Sequence, residues 1–558
     1  MQYLKTIEDL WKEGLKQGFR VIRKQKNGSV DYNWAREISN SRFDHQPSAV
    51  VFPKTAQQVS FCLTFCKENE IKFRVRSGGH QHEGMSSLDE SVMIRLSEMN
   101  QITYPDANKL TAWIPTGKPL QEVYDELQLF NKTIPGGGCS SVNVGGLTLG
   151  GGWGTSTRKM GLTCDNFEEA EVVLANGDIV SARADNAHKD LFWALRGGGG
   201  GNFGIVTKFL FKLHSLGDYI TTVNLQWKEL GDNEEAAIKW YLDHQKDFPR
   251  ALTTVMSLRV QHKDMQTFKD GKWISTYFPL GFIGKFYGRK DDLRVILKDF
   301  IEKFNPIETE NSFKEECLEE LDGSDGGPES SKPLMSAIIN GFVDEYTGIN
   351  KKQEAILNDL DPSNSSSYKK LPPPAVTCLA PHPHKISSGY PRNKESHASL
   401  AKKMVHIIRN TNAKNIEGVR LYMVLHSMPG AGGNIKSHES AFYYRDKEIL
   451  LQLQSWWSPP KFAGNTQTVD SNYNSHKFKK EWLAYERDKK NYIQWIDQAR
   501  QDLGQDLEGA FINFVDKNIA LKEYYGNNFA ELQRIKKHYD KDNLFRFPMS
   551  IPPAGSSK

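Results

Sequence analysis

Two glycine-rich segments of the sequence carry side chains that could do chemistry. In residues 74–87, RVRSGGHQHEGMSS, two glycines directly precede His80, and a second histidine, His82, follows two residues later. In residues 136–142, GGGCSSV, three glycines precede Cys139. Imidazole and thiolate groups act as bases, nucleophiles and metal ligands. The first segment is therefore compatible with a plain turn, with a metal site on His80 and His82, or with a loop that contacts a nucleotide.

The distribution of glycine helps to choose between these possibilities. A third cluster, RGGGGGNFG, occupies residues 196–204, and apolar strand-like runs flank all three clusters. A fold keeps glycine where φ is positive or where a ligand must approach the backbone closely. Successive backbone N–H groups in such loops form concave sites for phosphate oxygens. The three clusters together indicate one extended anionic ligand, such as a dinucleotide.

Two familiar motifs are rejected. His80 and His82 lack a nearby, suitably spaced carboxylate or thiolate, so the sequence predicts no metal site. Gly199, Gly201 and Gly204 match G-x-G-x-x-G, but the Rossmann fingerprint requires a helix after its glycines. The alternating run IVTKFLFKL that follows Gly204 predicts a strand instead.

The first glycine segment ends a strand–helix–strand pattern. AVVFP, which begins at Ala49, and KFRVR, which ends at Arg76, predict strands, and TAQQVSFCLTFCKENEI between them predicts a helix. A loop at the end of such a unit is a common position for a ligand. The sequence thus places residues 77–81 where a ligand would bind.

Local features refine these elements. Thr55 and Gln58 predict a capping box at the start of the helix. Cys62 and Cys66 lie one helical turn apart among apolar residues and are expected to face the core. Further along, the dipeptide at 176–177, Asn-Gly, predicts a two-residue hairpin.

Composition and charge exclude several classes of protein. The chain has 558 residues, which predicts two or three domains, and its net charge of +4 gives no reason to expect nucleic acid as a partner. No apolar run approaches the roughly 20 residues that span a bilayer, so no membrane association is expected. The charged N-terminal segment lacks the features of a secretory signal, which makes the cytoplasm the default location and structural disulfides unexpected. The oligomeric state stays open.

The second half of the chain differs from the first in composition and in its helical patterns. After about residue 216 the helical patterns lengthen and aromatic residues become more frequent. A polar stretch from Asp322 to Tyr368 predicts mobile loops, and LPPPAV at 371–376 predicts a stiff connector.

Four segments resemble one known family. Residues 50–84, 136–167 and 191–207 resemble the FAD domain of the berberine-bridge-enzyme-like flavoprotein oxidases of the vanillyl-alcohol-oxidase superfamily, and residues 524–553 resemble that family's C-terminal segment. The resemblance implies an α+β fold, with a two-part FAD-binding domain and a substrate domain whose antiparallel sheet is flanked by helices. The predicted division of the chain is an N-terminal helical segment at 1–45, the FAD-binding domain at 46–215, the substrate domain at 216–500, and a C-terminal segment at 501–558 that returns to the FAD domain.

The resemblance also implies the cofactor and how it is held. His80 occupies the position bonded to the flavin 8α-methyl group, and Cys139 the position bonded to flavin C6, which implies an FAD attached at two points. Cys164 lies off the motif position and is expected to serve in packing or to support the residues that contact the cofactor. Further FAD contacts are implied for Arg76, Ser77, Gly78, Gly79, Gln81, Val142, Gly145, Gly146, Gly150, Gly204, Ile205, Val206 and Asn513.

The implied reaction is hydride transfer from a small-molecule alcohol to flavin N5, followed by reoxidation by O2 to give hydrogen peroxide. In this family a valine at the position of Val142 accompanies good reactivity with oxygen, which favours an oxidase over a dehydrogenase. A saccharide, oxidised at its anomeric carbon, is narrowly favoured as substrate. The alternatives are a flavin dehydrogenase or oxidative-cyclisation enzyme acting on a phenolic or other secondary metabolite, and a flavin-binding protein with a decayed active site.

The general base is where the sequence departs from the family. Sugar-oxidising relatives generally read Y-x-N-Y, whereas residues 511–514 here read FINF, so Asn513 is retained but Phe514 replaces the basic tyrosine. Either another group is the base or the substrate needs none. The resemblance offers Tyr390 with Lys385 and Tyr444 with Arg445, although each of these residues is more often structural. A tyrosine needs a cationic neighbour to act as a base near neutrality, and Lys385 or Arg445 could supply it. The indoles of the WW pair at 456–457 would suit stacking on a sugar or aromatic substrate, although tryptophan is more often part of a core.

Overall fold

The computed structural model describes residues 2–24, 30–227, 233–260, 266–269, 272–275, 279–317, 383–411, 420–428, 430–457 and 476–556. The mobile loops predicted at 322–368 and the connector predicted at 371–376 lie outside these described residues. Within the described residues, no helix is both long enough and apolar enough to cross a membrane.

The described chain alternates short strands and helices. In chain order the strands are β1 (Arg20–Arg23), β2 (Ala49–Phe52), β3 (Phe73–Arg76), β4 (Val92–Arg95), β5 (Thr111–Pro115), β6 (Lys132–Thr133), β7 (Phe167–Val173), β8 (Ile179–Arg183), β9 (Ile205–Lys212), β10 (His214–Ser215), β11 (Tyr219–Trp227), β12 (Leu252–Arg259), β13 (Gln266–Lys269), β14 (Lys272–Ser275), β15 (Leu280–Phe286), β16 (Phe313–Cys317), β17 (His384–Pro391), β18 (Arg420–Ser427), β19 (Ile449–Trp456) and β20 (Leu507–Glu508). The α-helices are α1 (Gln2–Gln17), α2 (Val30–Arg36), α3 (Ala56–Glu68), α4 (Leu120–Gln128), α5 (Val144–Leu149), α6 (Thr157–Met160), α7 (Lys189–Leu195), α8 (Asn233–Asp243), α9 (Lys290–Phe304), α10 (His397–Asn410), α11 (His476–Leu503) and α12 (Phe529–Tyr539).

The first sheet holds the loop that carries His80. Its strand order is β1-β2-β4-β3, in which β2, β4 and β3 are parallel and β1 is antiparallel to β2. Helix α3 connects β2 to β3, which confirms the predicted strand–helix–strand unit. The chain leaves β3 at Arg76 and enters the glycine segment directly. The sheet therefore fixes the starting point of that segment.

Helix α3 follows the sequence prediction in most respects. The side chain of Thr55 accepts a bond from the Gln58 N–H, as expected of the N-cap, but the Gln58 side chain accepts from the backbone N–H of Lys54 at 2.8 Å instead of from Thr55. The predicted capping box is thus only half formed. Cys62 and Cys66 are fully buried in the core beneath the helix, as predicted, and burial raises the pKa of the Cys66 thiol to about 12.

A second sheet, with strand order β5-β9-β7-β8, carries the third glycine cluster. Strand β9 begins immediately after Gly204, as the alternating pattern predicted. The hairpin between β7 and β8 differs from the prediction. The backbone N–H of Leu174 donates to the carbonyl of Asp178 across a loop of three residues, so the prediction of a two-residue hairpin is wrong. Gly177, the last residue of this loop, has a positive φ of +91°. Asn-Gly also suits this longer turn, because the glycine alone adopts the left-handed conformation.

The second half of the chain is built on an eight-stranded antiparallel sheet with the order β16-β11-β15-β12-β18-β19-β17-β20. Residues of β18 alternate between its two faces. Leu421, Met423 and Leu425 join a core formed with helices α8 to α11, whereas Val424 and His426 point toward the glycine-rich half. This arrangement confirms the predicted α+β class and its antiparallel sheet flanked by helices. One sheet face is therefore available to build a site against the first half.

The C-terminal segment returns to the glycine-rich half. Helix α12 packs against α7, and the buried Lys536 donates to the carbonyl oxygens of Asn202 and Phe545 and to the carboxylate of Asp540. Asn202 itself lies in the third glycine cluster. The C-terminal segment thereby holds that cluster in place.

Candidate active site

The three glycine clusters converge in space. A Cβ placed on Gly145 would lie 3.1 Å from the hydroxyl oxygen of Ser77, so the first two clusters are in contact. A Cβ on Gly200 would lie 3.9 Å from the Cα of Gly146, so the third cluster adjoins the second. Segments that are far apart in the sequence thus form the walls of one groove, hereafter the glycine groove (residues 77–81, 139–146 and 199–201).

The glycine groove has the character of a dinucleotide site. Gly146 and Gly200 are exposed, and a Cβ on Gly146 would meet no atom within 4 Å, so open space faces the backbone there. Gly79 has a φ of +79°, and the guanidinium of the buried Arg76 lies against it. A wall of bare backbone with a buried cation beside it suits an anionic, phosphate-bearing ligand. The residues present therefore fit an FAD molecule.

His80 and Cys139 lie at neighbouring positions on this groove. The imidazole Nε2 of His80 is 3.0 Å from the hydroxyl oxygen of Ser141, two residues beyond Cys139. Cys139 is half-buried as a residue, and desolvation raises the pKa of its thiol to about 11. The two side chains that the family resemblance assigns to flavin attachment are thus brought together by one hydrogen-bonded pair of loops.

Other implied FAD contacts have structural partners in the described chain. The Ser77 hydroxyl donates to the Thr116 carbonyl at 2.6 Å, and the Gln81 side-chain oxygen accepts two backbone N–H bonds that shape the turn after His80. The Val142 carbonyl accepts the Leu120 N–H at 2.8 Å. These bonds hold the loops in place. The cofactor contacts of Ser77, Gln81 and Val142 themselves stay predictions.

Gly204 directly precedes strand β9 of the second sheet, and the two residues after it begin that strand. A Cβ on Gly204 would approach the Val172 side chain to 2.6 Å, so glycine is required there for strand packing. The side chains of Ile205 and Val206 are buried in the hydrophobic core. Any cofactor contact of these three residues would therefore be made through their backbone.

Asn513 and Phe514 bring the C-terminal segment to the groove. Both belong to a 3-10 turn, Ile512–Phe514, and the Asn513 amide donates to the Leu147 carbonyl at 2.9 Å. A Cβ on Gly150 would overlap the Asn513 side-chain oxygen. Phe514 is half-buried, with its ring centroid 6.2 Å from that of His82 and 5.8 Å from that of His426. Phe514 is therefore flanked by histidines.

The predicted bases Tyr390 and Tyr444 do not fit that role. Their rings stack at 4.5 Å inside the hydrophobic core, and burial raises the pKa of Tyr390 well above its usual value. Burial also raises the pKa of Tyr444, whose hydroxyl donates to the Glu523 carbonyl at 2.6 Å. A phenol held neutral in a core cannot accept a substrate proton near neutral pH.

The cations expected to assist these tyrosines have other partners. Arg445 binds both carboxylate oxygens of Asp165 at 2.7 Å. Lys385 forms ion pairs with Glu83, at 2.7 Å, and with Asp516. Each positive charge is thus balanced by a carboxylate and stabilises a structural ion pair instead of a phenolate.

The sheet face opposite the groove carries a layer of polar side chains that the sequence reasoning missed. His426 Nε2 lies 2.9 Å from Gln452 Oε1, and the Gln454 amide donates to that same oxygen at 2.9 Å. Gln454 Oε1 in turn accepts the Tyr422 hydroxyl at 2.7 Å and the Trp456 indole N–H at 2.8 Å. The alternation LLQLQSW in β19 was a visible signal, because every second residue of a strand faces the same way.

The two neighbouring tryptophans have different surroundings. Trp457 is 1% exposed and packs in the helix-side core against Tyr492, whereas Trp456 is half-buried and stacks on His384 at 4.1 Å. His384 Nε2 is 3.0 Å from Nδ1 of His82 in the loop after His80. Only Trp456 is therefore placed to contact a substrate.

A buried ionic cluster ties these parts together. Glu83 lies in the first loop, two residues after Gln81. Its carboxylate binds Lys385 of β17 and also Arg42, at 3.0 Å. Burial and the nearby charges of His80, Arg42 and Lys385 lower the pKa of His82 to about 3. His82 is therefore neutral. Among the residues that the structure describes, no three His, Cys, Asp or Glu side chains form a group that could hold a metal ion.

Comparisons with known proteins agree with this geometry. A family model described as "FAD binding domain" matches residues 47–183, and one described as "Berberine and berberine like" matches residues 510–552. These matches cover the first glycine loops and the turn that carries Asn513 and Phe514. Both parts of the site thus have recognised counterparts.

Relatives match along nearly the whole chain. The uncharacterized FAD-linked oxidoreductase YgaK of Bacillus subtilis (strain 168) is 29% identical over 529 residues, which cover 94% of this chain and 95% of YgaK. Berberine bridge enzyme-like 25 of Arabidopsis thaliana is 27% identical over 537 residues, covering 91% of this chain and 84% of that protein. Among solved structures, a glucooligosaccharide oxidase of Acremonium strictum superposes with a TM-score of 0.72 at 22% identity, covering 99% of each chain. The last of these similarities establishes the shared fold.

Proposed function

Because the chain belongs to the berberine-bridge-enzyme-like FAD-linked oxidoreductases of the vanillyl-alcohol-oxidase superfamily, we propose that it oxidises an alcohol, with O2 as the electron acceptor. The observation that carries the proposal is the meeting of the glycine groove with the polar sheet face. His82, which directly follows the groove residue Gln81, lies 3.0 Å from His384 of the sheet, and the ring of Trp153, seven residues after the groove residue Gly146, lies 4.4 Å from that of His426. A substrate bound on the sheet face would therefore lie against a cofactor in the groove.

His80 and Cys139 are the residues that would attach the cofactor. The bond from Ser141 engages His80 Nε2, so a linkage through Nδ1 would leave that bond intact. The glucooligosaccharide oxidase of similar fold carries a 6-S-cysteinyl, 8α-N1-histidyl FAD. When bound, FAD supplies the two-electron oxidant that takes a hydride from the alcohol carbon and passes the electrons to O2, giving H2O2. The chain's own residues orient the substrate and accept its proton.

The sheet face favours a neutral, hydroxyl-rich substrate. Gln452, Gln454 and Tyr422 offer amide and hydroxyl groups that both donate and accept hydrogen bonds. Trp456 presents an apolar ring on which a sugar ring would stack. These uncharged groups support a saccharide as substrate, in keeping with the specificity named for the glucooligosaccharide oxidase.

The proposal is tested by mixing the purified yellow protein, under anaerobic conditions, with cellobiose, lactose, maltose and a set of phenols. The expected result is bleaching of the flavin absorption by a saccharide, followed on aeration by rapid reoxidation and one H2O2 per flavin. Bleaching by a phenol alone would replace the saccharide proposal with the phenolic alternative. Reoxidation that is slow in air but fast with an artificial acceptor would identify a dehydrogenase.

A further inference from the structure

Phe514 cannot accept a proton, so the proposed alcohol oxidation requires another base near it. The polar layer on the sheet face contains a hydrogen-bond chain that runs from Trp456 to His426. The donor and the acceptor of every hydrogen bond in this chain can be deduced, because the Trp456 indole nitrogen at one end can only donate.

Trp456 fixes the direction of the chain. An indole nitrogen carries a hydrogen and can only donate. Its partner atom on Gln454 must therefore be the amide oxygen, which also accepts the Tyr422 hydroxyl. The Gln454 amide nitrogen is consequently the atom that points to Gln452, and it donates to Gln452 Oε1.

The same logic fixes the tautomer of His426. Gln452 Oε1 accepts from Gln454, and the atom 2.9 Å from it on the other side is His426 Nε2. An oxygen acceptor requires a donor, so Nε2 carries the hydrogen in the neutral ring. The lone pair of the imidazole is consequently on Nδ1.

The ring of His426 is also held where a substrate would bind. It lies edge-on to Trp153, with centroids 4.4 Å apart, and Trp153 is itself anchored by an indole bond to the Ser427 carbonyl at 2.9 Å. A second ring neighbour of His426 is Phe514, with centroids 5.8 Å apart. His426 is 6% exposed, so its environment is largely desolvated.

Other titratable groups of the pocket are less suited to the role. His82 is kept neutral with a pKa of about 3, which makes it a weak base, and its Nδ1 is already paired with His384. Tyr422, on the same strand as His426, donates its proton to Gln454. The described charged groups that the strand register places on this sheet face include Arg259, which pairs with Tyr422, Arg420, which pairs with Trp456, and Lys285, which pairs with Thr253. The two arginines are not acceptors. Burial lowers the pKa of Lys285 to about 7, against the opposing charge of Glu316, but Lys285 lies on β15, two strands away from His426.

We propose that His426 is the catalytic base of this site, an inference that rests on the proposed alcohol oxidation. The hydroxyl proton of the substrate moves to His426 Nδ1. The hydrogen on the same carbon leaves with both electrons as a hydride to the FAD oxidant, and the C–O bond becomes C=O. The resulting imidazolium keeps its Nε2–H bonded to Gln452 Oε1, which stabilises the positive charge.

The first test needs no substrate. In ¹⁵N spectra of the histidine-labelled holoenzyme, recorded above the unperturbed histidine pKa of about 6.5, the His426 signals are assigned by their loss in a His426→Gln protein. We expect a protonated Nε2 and an unprotonated Nδ1. The opposite tautomer would overturn the inference, whatever substrate the enzyme uses.

The second test follows anaerobic flavin reduction by cellobiose, or by the best saccharide of the set, across a range of pH. In wild type the rate should rise with pH as His426 loses its proton and then level off. His426→Gln should retain its flavin, lower the rate by about 10²–10⁴-fold, abolish the pH-dependent rise and respond to added imidazole. His397→Gln is the matched control, because His397 bonds Asp243 at 2.8 Å outside the pocket.

Gln452→Glu provides an independent check of the chain. A carboxylate at this position would favour the imidazolium and move the rise in rate to higher pH by about 1–3 units. A His426→Gln protein that is reduced as fast as wild type, or that is slower with an unchanged pH profile, would overturn the inference. If no saccharide or phenol reduces wild type, the proposed function fails, and the tautomer still decides whether His426 is built as an acceptor.

Discussion

Lys385 Nζ lies 2.7 Å from Glu83 Oε1, and neither side chain is more than 1% exposed. This buried ion pair joins the loop after His80 to strand β17 of the eight-stranded sheet. Asp516, just beyond Phe514, binds the same lysine. One ammonium group thus connects three of the segments that border the candidate active site.

Lys385→Met should destabilise the protein strongly, because it removes the buried cation that pairs with Asp516 and leaves Glu83 with its bond to Arg42. Breaking such a pair typically costs about 3–5 kcal/mol. The measurement is the urea or thermal midpoint of the purified holoenzyme. Lys298→Met is the control, because the Lys298–Glu302 pair is 65% exposed on each side and its loss should leave the midpoint unchanged. Equal midpoints for both variants would contradict the structural role of Lys385.

His80→Ala and Cys139→Ala should each keep flavin covalently attached through the remaining link. Acid precipitation then leaves a yellow pellet for wild type and for each single variant, whereas the double variant should release its flavin into the supernatant. Cys164→Ala is the control, since Cys164 is buried beside Asp165 and Arg445. Release of all flavin from wild type would disprove covalent attachment.

Tyr390→Phe and Tyr444→Phe should leave the rate of flavin reduction unchanged, since both hydroxyls are buried in the core. The two variants should differ in their free energy of unfolding. The Tyr390 hydroxyl has no hydrogen-bond partner among the described residues, so its removal should be neutral or stabilising. Removing the Tyr444 hydroxyl deprives the Glu523 carbonyl of its donor and should cost about 1 kcal/mol. A large loss of flavin-reduction rate in either variant would restore that tyrosine as the base.

Phe514→Tyr should retain flavin without raising the reduction rate, because the proton acceptor is already supplied by another group. The new hydroxyl must find a partner between His82 and His426, and leaving it unsatisfied would cost about 1–3 kcal/mol. Stopped-flow reduction of the variant and of wild type by the same saccharide provides the comparison. A gain within the range of about 10²–10⁴-fold that general bases contribute would mean that the site had lost a tyrosine base.

His82 should make stability depend on pH in the acidic range. Its pKa is about 3 in the folded protein, against about 6.5 for an unperturbed histidine. Between these values the unfolded chain binds a proton that the folded protein does not. The stability contributed by neutral His82 is therefore fully present above about pH 6.5 and declines as the pH falls below it.

Replacing His82 by Gln should flatten this dependence by up to about 1.4 kcal/mol per pH unit. Urea midpoints of wild type and His82→Gln, measured at several pH values below neutrality, give the difference in slope. His188→Gln provides the comparison at a histidine outside the pocket, where it contacts Tyr539. Parallel curves for wild type and His82→Gln would show that the folded protein protonates His82 normally.

Local patterns in the sequence predicted local structure well. The strand–helix–strand unit, the burial of Cys62 and Cys66, and the strand after Gly204 depend on neighbours within a few residues. The turn at Asn176 failed as a prediction because Asn-Gly is compatible with both a two-residue and a three-residue hairpin. Turn length is set by how the flanking strands pair, which the dipeptide does not specify.

The base could not be deduced from the sequence for a related reason. Tyr390 and Tyr444 lie in motifs that resemble pocket segments, but their burial depends on packing against residues far away in the chain, such as Phe511. His426 belongs to no motif. Its importance emerges only when β18 and β19 pair and place it beside Gln452.

The ionic cluster around Lys385 also constrains how the protein is made. Its bonds span 302 residues to Glu83 and 131 residues to Asp516, so the cluster has a very high contact order. During synthesis the N-terminal half leaves the ribosome long before Asp516 exists, and domains generally fold in the order in which they emerge. The walls of the active site therefore close late in biogenesis, and the cluster completes them only when the chain is nearly finished.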